Sequence, residues 1–190
     1  MFEDPPIRRL SPSGDAEAIL RLGQQLQVLA TDHGIHNVMT DNGYQELVVL
    51  TLFGLTKLRR DGNDARDADG LEYELKTVGR ISAAGNRKKS LSITTEHTMT
   101  LANIARYRQV SLWVVAVFDR TLPEVIYEVA PASLEPYFAK WEAKLNQRGA
   151  DWNLVRDHIN NPKIPLTFIA DHGTRIWPPG PGPSRARMRG

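Results

Sequence analysis

GNDARDADGLEYELKTV, residues 62–78, is the stretch on which the reading turns. Its second half, Leu71 to Val78, alternates in character, as a half-buried β-strand does. Its first half is turn-rich, with Asp67, Asp69 and Gly70. On a strand, Glu74 and Lys76 share one face, roughly 7 Å apart. Leu71, Tyr73 and Leu75 then point the other way into a core. The turn folds Asp64 back beside Glu74. Two carboxylates and a lysine so placed can hold a hard cation such as Mg²⁺, activate one of its waters and stabilise charge in phosphodiester hydrolysis.

On spacing alone, a second reading stays open. Asp followed at variable distance by Glu-x-Lys arises often by chance, and Glu74 and Lys76 serve equally well as a polar strand face making cross-strand ion pairs. The chain carries another instance, Asp119 followed by Glu142-Ala143-Lys144. That one falls on a predicted amphipathic helix, where positions i and i+2 diverge by about 200°, so it reads as a solvated helix face.

Outward from this stretch, the pattern is one of alternating helices and strands. A helix is expected from Asp15 to Thr31, where Ile19, Leu22, Leu26 and Leu29 recur at helical spacing, with Gly34 to stop it. A second helix carries Leu47 to Leu52, with Asp41 as its candidate cap. Residues 79–100 read as a polar segment holding a basic loop. Ala102 to Arg108 forms a short helix. SLWVVAVF, residues 111–118, has the length and continuous apolarity of a central strand covered on both faces. Val125 to Val129 is another strand. Leu134 to Gln147 is an amphipathic helix with Leu134, Tyr137, Phe138, Trp141 and Leu145 inward. Ile164 to Ala170 and Thr174 to Trp177 read as late strands. The expected fold class is α/β, one domain with a central mixed sheet flanked by helices. Residues 1–177 make up that domain, and the Pro/Gly/Arg-rich residues 178–190 form a loose basic extension.

Composition narrows the function classes. Hydrophobic residues make up 41% of the 190, enough for a sizeable core. There are no cysteines, which excludes disulfides, zinc-thiolate sites and thiol nucleophiles. The longest apolar run, Leu47 to Leu55, is too short to span a bilayer. MFEDPPIRRL at the N-terminus is no signal peptide, so a cytoplasmic location is expected. Net charge is only +2, yet Arg59, Arg60, Arg87, Lys88 and Lys89 gather around the central segment. Acids set among bases suit a metal site that faces a polyanion.

The wider sequence resolves the choice by resemblance. GNDARDADGLEYELKTV, ARYRQV, INNPKIP and DHGTRI, with TDHGIHNVMTDNG and LEPYFAKWE, together resemble the PvuII-like type II restriction endonucleases of the PD-(D/E)xK nuclease superfamily. The likeness spans residues 20 to 177 in the same motif order. It implies Asp64 and Glu74 as metal-binding acids, with Leu75 also in the metal set, Lys76 as the catalytic lysine and Tyr107 as a tyrosine near the metal and its water. Asp61 falls where the family has glutamate. Asp41 and Asn42 match minor-groove and subunit-interface contacts. Asn160 and Asn161 match base-contacting positions, and His97 a major-groove histidine, with Thr94 and Thr98 beside it. Asparagine can read adenine bidentately and histidine can donate to guanine. Arg87, Lys88 and Lys89 form a phosphate clamp. Further implications are Mg²⁺, double-stranded DNA with a palindromic site, a homodimer joined through its N-terminal helices, with Leu47 to Leu55 as the contact, and a partner DNA methyltransferase. The family site is CAGCTG, cut bluntly. This chain departs in the base-reading region: Glu96-His97-Thr98 replaces three histidines, Thr94 a serine, and about seven extra residues lie between Lys76 and His97.

Two alternatives share much of this frame. A structure-specific DNA nuclease would keep the metal site but read shape, and a catalytically inactive relative would bind DNA without cutting.

Overall fold

The computed structural model describes residues 14–39, 42–58, 63–82, 84–150 and 158–178. Asp41, Arg59, Arg60, Asp61 and the basic tail beyond residue 178 lie outside them.

The helices are α1 (Gly14–Asp32), α2 (Gly43–Phe53), α3 (Leu101–Gln109), α4 (Glu135–Ala150) and α5 (Leu166–His172). The strands are β1 (Thr56–Lys57), β2 (Ala65–Arg66), β3 (Glu72–Gly79), β4 (Ser92–Thr94), β5 (Thr98–Met99), β6 (Leu112–Asp119), β7 (Leu122–Val129), β8 (Ile159–Asn160), β9 (Lys163–Pro165) and β10 (Thr174–Trp177). Six strands form one mixed sheet in the order β1-β2-β3-β6-β7-β10. β3 and β6 run parallel, and the other pairs are antiparallel. This is the expected α/β domain.

The sheet is buried on both faces, which is why β6 is apolar throughout. Trp113 and Val115 pack on one side with Tyr107, Phe138, Trp141 and Ile169. Val114, Ala116 and Phe118 pack on the other with Leu75, Leu47 and Leu50. Strand alternation sorts the same run into two cores. The inward set predicted for α4 holds, with Leu134 and Phe138 fully buried and Tyr137 partly so.

Three expectations need correction. Much of Leu47 to Leu55, expected as the dimer contact, faces inward: Leu47, Val49, Leu50 and Leu55 are core residues under the sheet, and Leu52 stays exposed. Exposed apolar residues gather most densely on α1, where Ile19 is 69%, Leu22 61% and Leu29 47% exposed. Leu71 precedes β3 and is half exposed rather than inward. Ile164 to Ala170 is not a strand. β9 ends at Pro165, whose ring can donate nothing to a ladder, and α5 begins there. Leu166, Phe168 and Ile169 make one turn of helix face, with Phe168 edge-on to Tyr137 at 4.9 Å. Gly173 ends α5 where a Cβ would lie 2.7 Å from the Ile169 carbonyl oxygen, so no larger residue fits.

Residues 79–100, read as a polar segment, contain β4 and β5. These pair with β9 and β8 in two small antiparallel ladders. Among the described residues no helix is long and apolar enough to cross a membrane.

Candidate active site

Asp64 is fixed by its backbone before its side chain does anything. Its carbonyl accepts from Leu58 N–H at 2.9 Å, and its N–H donates to the Tyr73 carbonyl at 3.1 Å. The turn that follows is built by Asp67. That carboxylate accepts from the Asp69 and Leu71 N–H groups and from the Tyr73 hydroxyl at 2.8 Å. These donors hold Asp67 below the ordinary carboxylate range, the Tyr73 hydroxyl foremost. Asp67 is thus a turn builder, and Asp64 is the residue it delivers. One Asp64 oxygen, Oδ2, accepts from Leu75 N–H at 2.8 Å. The acid therefore docks against β3 between Glu74 and Lys76, as the turn-rich spacing implied.

Glu74 is nearly inaccessible, at 2% exposure. Lys76 Nζ meets its Oε1 at 2.5 Å. Its Oε2 is buried without a hydrogen-bond partner among the described residues. Burial pushes the carboxyl up to about 7; the lysine opposes this and the neighbouring Asp64 charge adds to it. A buried carboxylate oxygen without a donor is costly unless a cation completes it. The donor set fits Mg²⁺, which takes one or two carboxylates and keeps several waters. Among the described residues no three His, Cys, Asp or Glu side chains converge as a fuller metal cage. Leu75 can contribute only through its main chain, because its side chain lies in the core.

Tyr107 sits beneath this pair. Its ring lies 5.8 Å from Lys76 Nζ, packed edge-on to Trp113 at 4.7 Å. It is fully buried, and its hydroxyl donates to the Thr95 carbonyl at 2.8 Å. Burial, with the Glu74 charge next, raises its ionisation far above the neutral range, so it remains protonated. It positions Lys76 through its ring face and anchors the segment after β4 through its hydroxyl.

An open cleft of about 570 Å³ joins Asp64, Leu75 and Lys76 to Asn42, Thr94 and Lys88, with Glu46, Lys57 and Lys163 also on its walls. Sequence reading missed these last three. The basic run divides. Lys88 faces this cleft, and Lys89 lines a separate one with Arg80 and Arg175. Arg87 is held at 3.2 Å by Asp119 and at 3.3 Å by Glu124. The three therefore do not share one cleft.

The expected base-reading residues do converge. β5 pairs Thr98 with Asn160. His97 Nδ1 lies 3.1 Å from Asn161 Oδ1, and Asn161 N–H donates to the His97 carbonyl at 3.0 Å. Asn161 takes a left-handed φ of 44°, which asparagine tolerates. Buried Thr95 ties the two segments, with its N–H and its hydroxyl both donating to the Pro162 carbonyl at 3.1 Å.

Two acids and a lysine gathered at β3, with a polar surface formed across two short ladders, have a counterpart among known families. The family model for restriction endonuclease PvuII matches residues 14–177. The chain belongs to the PvuII restriction endonuclease family. It is therefore a DNA-binding nuclease of a restriction system, and the match covers the whole sheet and all five helices.

Proposed function

We propose that this chain is a Mg²⁺-dependent type II restriction endonuclease. It acts as a homodimer and hydrolyses both strands of duplex DNA at a short palindrome, CAGCTG or a related sequence, with a blunt cut. The observation that carries the reading is the Glu74 oxygen, buried and without a partner among the described residues, on a carboxylate paired with Lys76, which lines one cleft with Asp64.

Asp64 and Glu74, with the Leu75 main chain, are the residues that would hold Mg²⁺, which when bound supplies charge neutralisation and a readily deprotonated water. Lys76 does the rest of the local work. Its ammonium is held by Glu74 and by the ring faces of Tyr107 and Trp113, at 5.8 and 6.0 Å. From there it orients the attacking water and offers positive charge to the phosphate. Lys88 grips the DNA backbone in the same cleft, while His97, Thr98, Asn160 and Asn161 meet base edges. Asn42 and Thr94 line the wall on which the backbone rests.

The homodimer reading is supported by the apolar residues that α1 leaves exposed, and residues 1–177 then form one nuclease domain with an N-terminal dimerising part. Two-fold symmetry matches a palindrome. The protein works in the cytoplasm beside a DNA methyltransferase that protects the host chromosome.

A metal titration tests the site. Wild-type protein cuts in Mg²⁺ and not in EDTA. Asp64→Ala loses cutting and still binds duplex DNA in Ca²⁺. Wild-type cutting that persists in EDTA, or Asp64→Ala cutting at the wild-type rate, contradicts the assignment. Binding without cutting in any metal would make the protein an inactive relative.

A further inference from the structure

Glu46 and Lys57 form an ion pair on the wall of the cutting cleft. Neither belongs to the acid–lysine set of β3. Glu46 stands in the first turn of α2, and Lys57 ends β1. Lys57 is the ladder partner of Ala65, the residue after Asp64, and Leu58 N–H holds the Asp64 carbonyl at 2.9 Å. The lysine is therefore carried on the same backbone that fixes the metal-binding acid. Its side chain is 29% exposed and that of Glu46 18%, so the ammonium is partly desolvated yet open to the cleft.

As a mere strut between α2 and β1, such a pair contributes about 0–1 kcal/mol. Its location favours a second role. An ammonium has three donors and no acceptor, and one carboxylate contact leaves donors free. The walls of this cleft carry Lys57, Lys76, Lys88 and Lys163 against Glu46 and Asp64. Lys76 is committed to Glu74. Lys57, Lys88 and Lys163 come from β1, the stretch before β4, and β9, so cationic side chains enter the cleft from three separate places in the fold.

We propose that Lys57, oriented by Glu46, is a phosphate-binding residue of the cutting site, gripping the DNA backbone on the Asp64 flank of the cleft. The proposal rests on the nuclease reading above. Glu46 is its positioning residue and does not itself touch DNA.

The test is the salt dependence of duplex DNA binding, measured in Ca²⁺ without Mg²⁺. Each phosphate contact contributes about 0.9 to the slope of log affinity against log salt. Lys57→Ala and Lys57→Gln should each flatten that slope by about 0.9 per subunit, and Lys57→Arg should retain it. The charge swap E46K/K57E restores an ion pair and should melt near the wild-type temperature, yet bind DNA no better than Lys57→Ala. An unchanged slope in both Lys57→Ala and Lys57→Gln overturns the proposal. So does wild-type binding by the charge swap, because a strut is indifferent to which end carries which sign. Wild-type protein that binds no duplex DNA at all overturns the nuclease reading and this proposal with it.

Discussion

Glu74 is the residue at which function and stability pull apart. A carboxylate at 2% exposure with one oxygen unsatisfied is a poor core residue, and an apolar side chain would pack there more favourably. The proposed metal site accounts for a carboxylate there. Glu74→Gln keeps the shape and removes the charge, and single-turnover cutting in Mg²⁺ should fall by about 10²–10³-fold. A rate within twofold of wild type would remove Glu74 from the chemistry. Tyr107 makes a different demand. Its hydroxyl is the donor to the Thr95 carbonyl, so Tyr107→Phe leaves a buried acceptor short and should cost about 1–2 kcal/mol. Urea denaturation reads this directly, and an unchanged midpoint would mean that the hydroxyl anchors nothing.

Elements carry these residues with uneven legibility. β3 and β6 were readable because a buried strand writes its period into each side chain, and Asp64 followed from the turn chemistry of Asp67 and Gly70. β4, β5, β8 and β9 were not, because two- and three-residue ladders leave no period, and their partners are far off; Thr95 and Pro162 are 67 apart in sequence. The convergence of His97 with Asn161 came from resemblance alone, and no local signal marked Thr95. α5 was misread because a helix of only seven residues with an apolar start looks like a strand. Lys57 and Lys163 carry ordinary charges on short strands, so only the fold shows which cleft they enter. The segment after β3 is pinned electrostatically. Arg80 donates to both Glu124 oxygens, at 2.8 and 2.9 Å, and Arg87 joins them. The Arg80 guanidinium, hydrogen-bonded to the carboxyl, holds Glu124 below its ordinary range. A depressed acid contributes stability above its unfolded value and loses it as pH falls through the folded one. Glu124→Gln should therefore melt below wild type at pH 7, with the gap closing on acidification below pH of about 4. A gap that is constant with pH would show that the ion pair is not its source.

At the scale of the whole molecule, the two cores lie on opposite faces of one sheet, and the cutting cleft is walled by residues from α2, β1, β3, β4 and β9. The apolar residues outside both cores concentrate on α1. Exposed apolar patches of this kind mark interaction surfaces. Leu22→Asp places a charge in that row, where Leu22 is 61% exposed, so the monomer fold should tolerate it. Sedimentation should then show a dimer for wild type and a monomer for the variant, with double-strand cutting replaced by slow nicking. A variant that still sediments as a dimer would move the interface elsewhere.

The most direct test of the central claim is to map cut ends on sequenced phage DNA digested in Mg²⁺ by wild type and by Asp64→Ala. The account predicts discrete wild-type fragments that share one palindromic end sequence, cut bluntly, and intact DNA with the variant. A smear without a shared end sequence, uncut DNA with wild type, or fragments of equal yield from Asp64→Ala would contradict it.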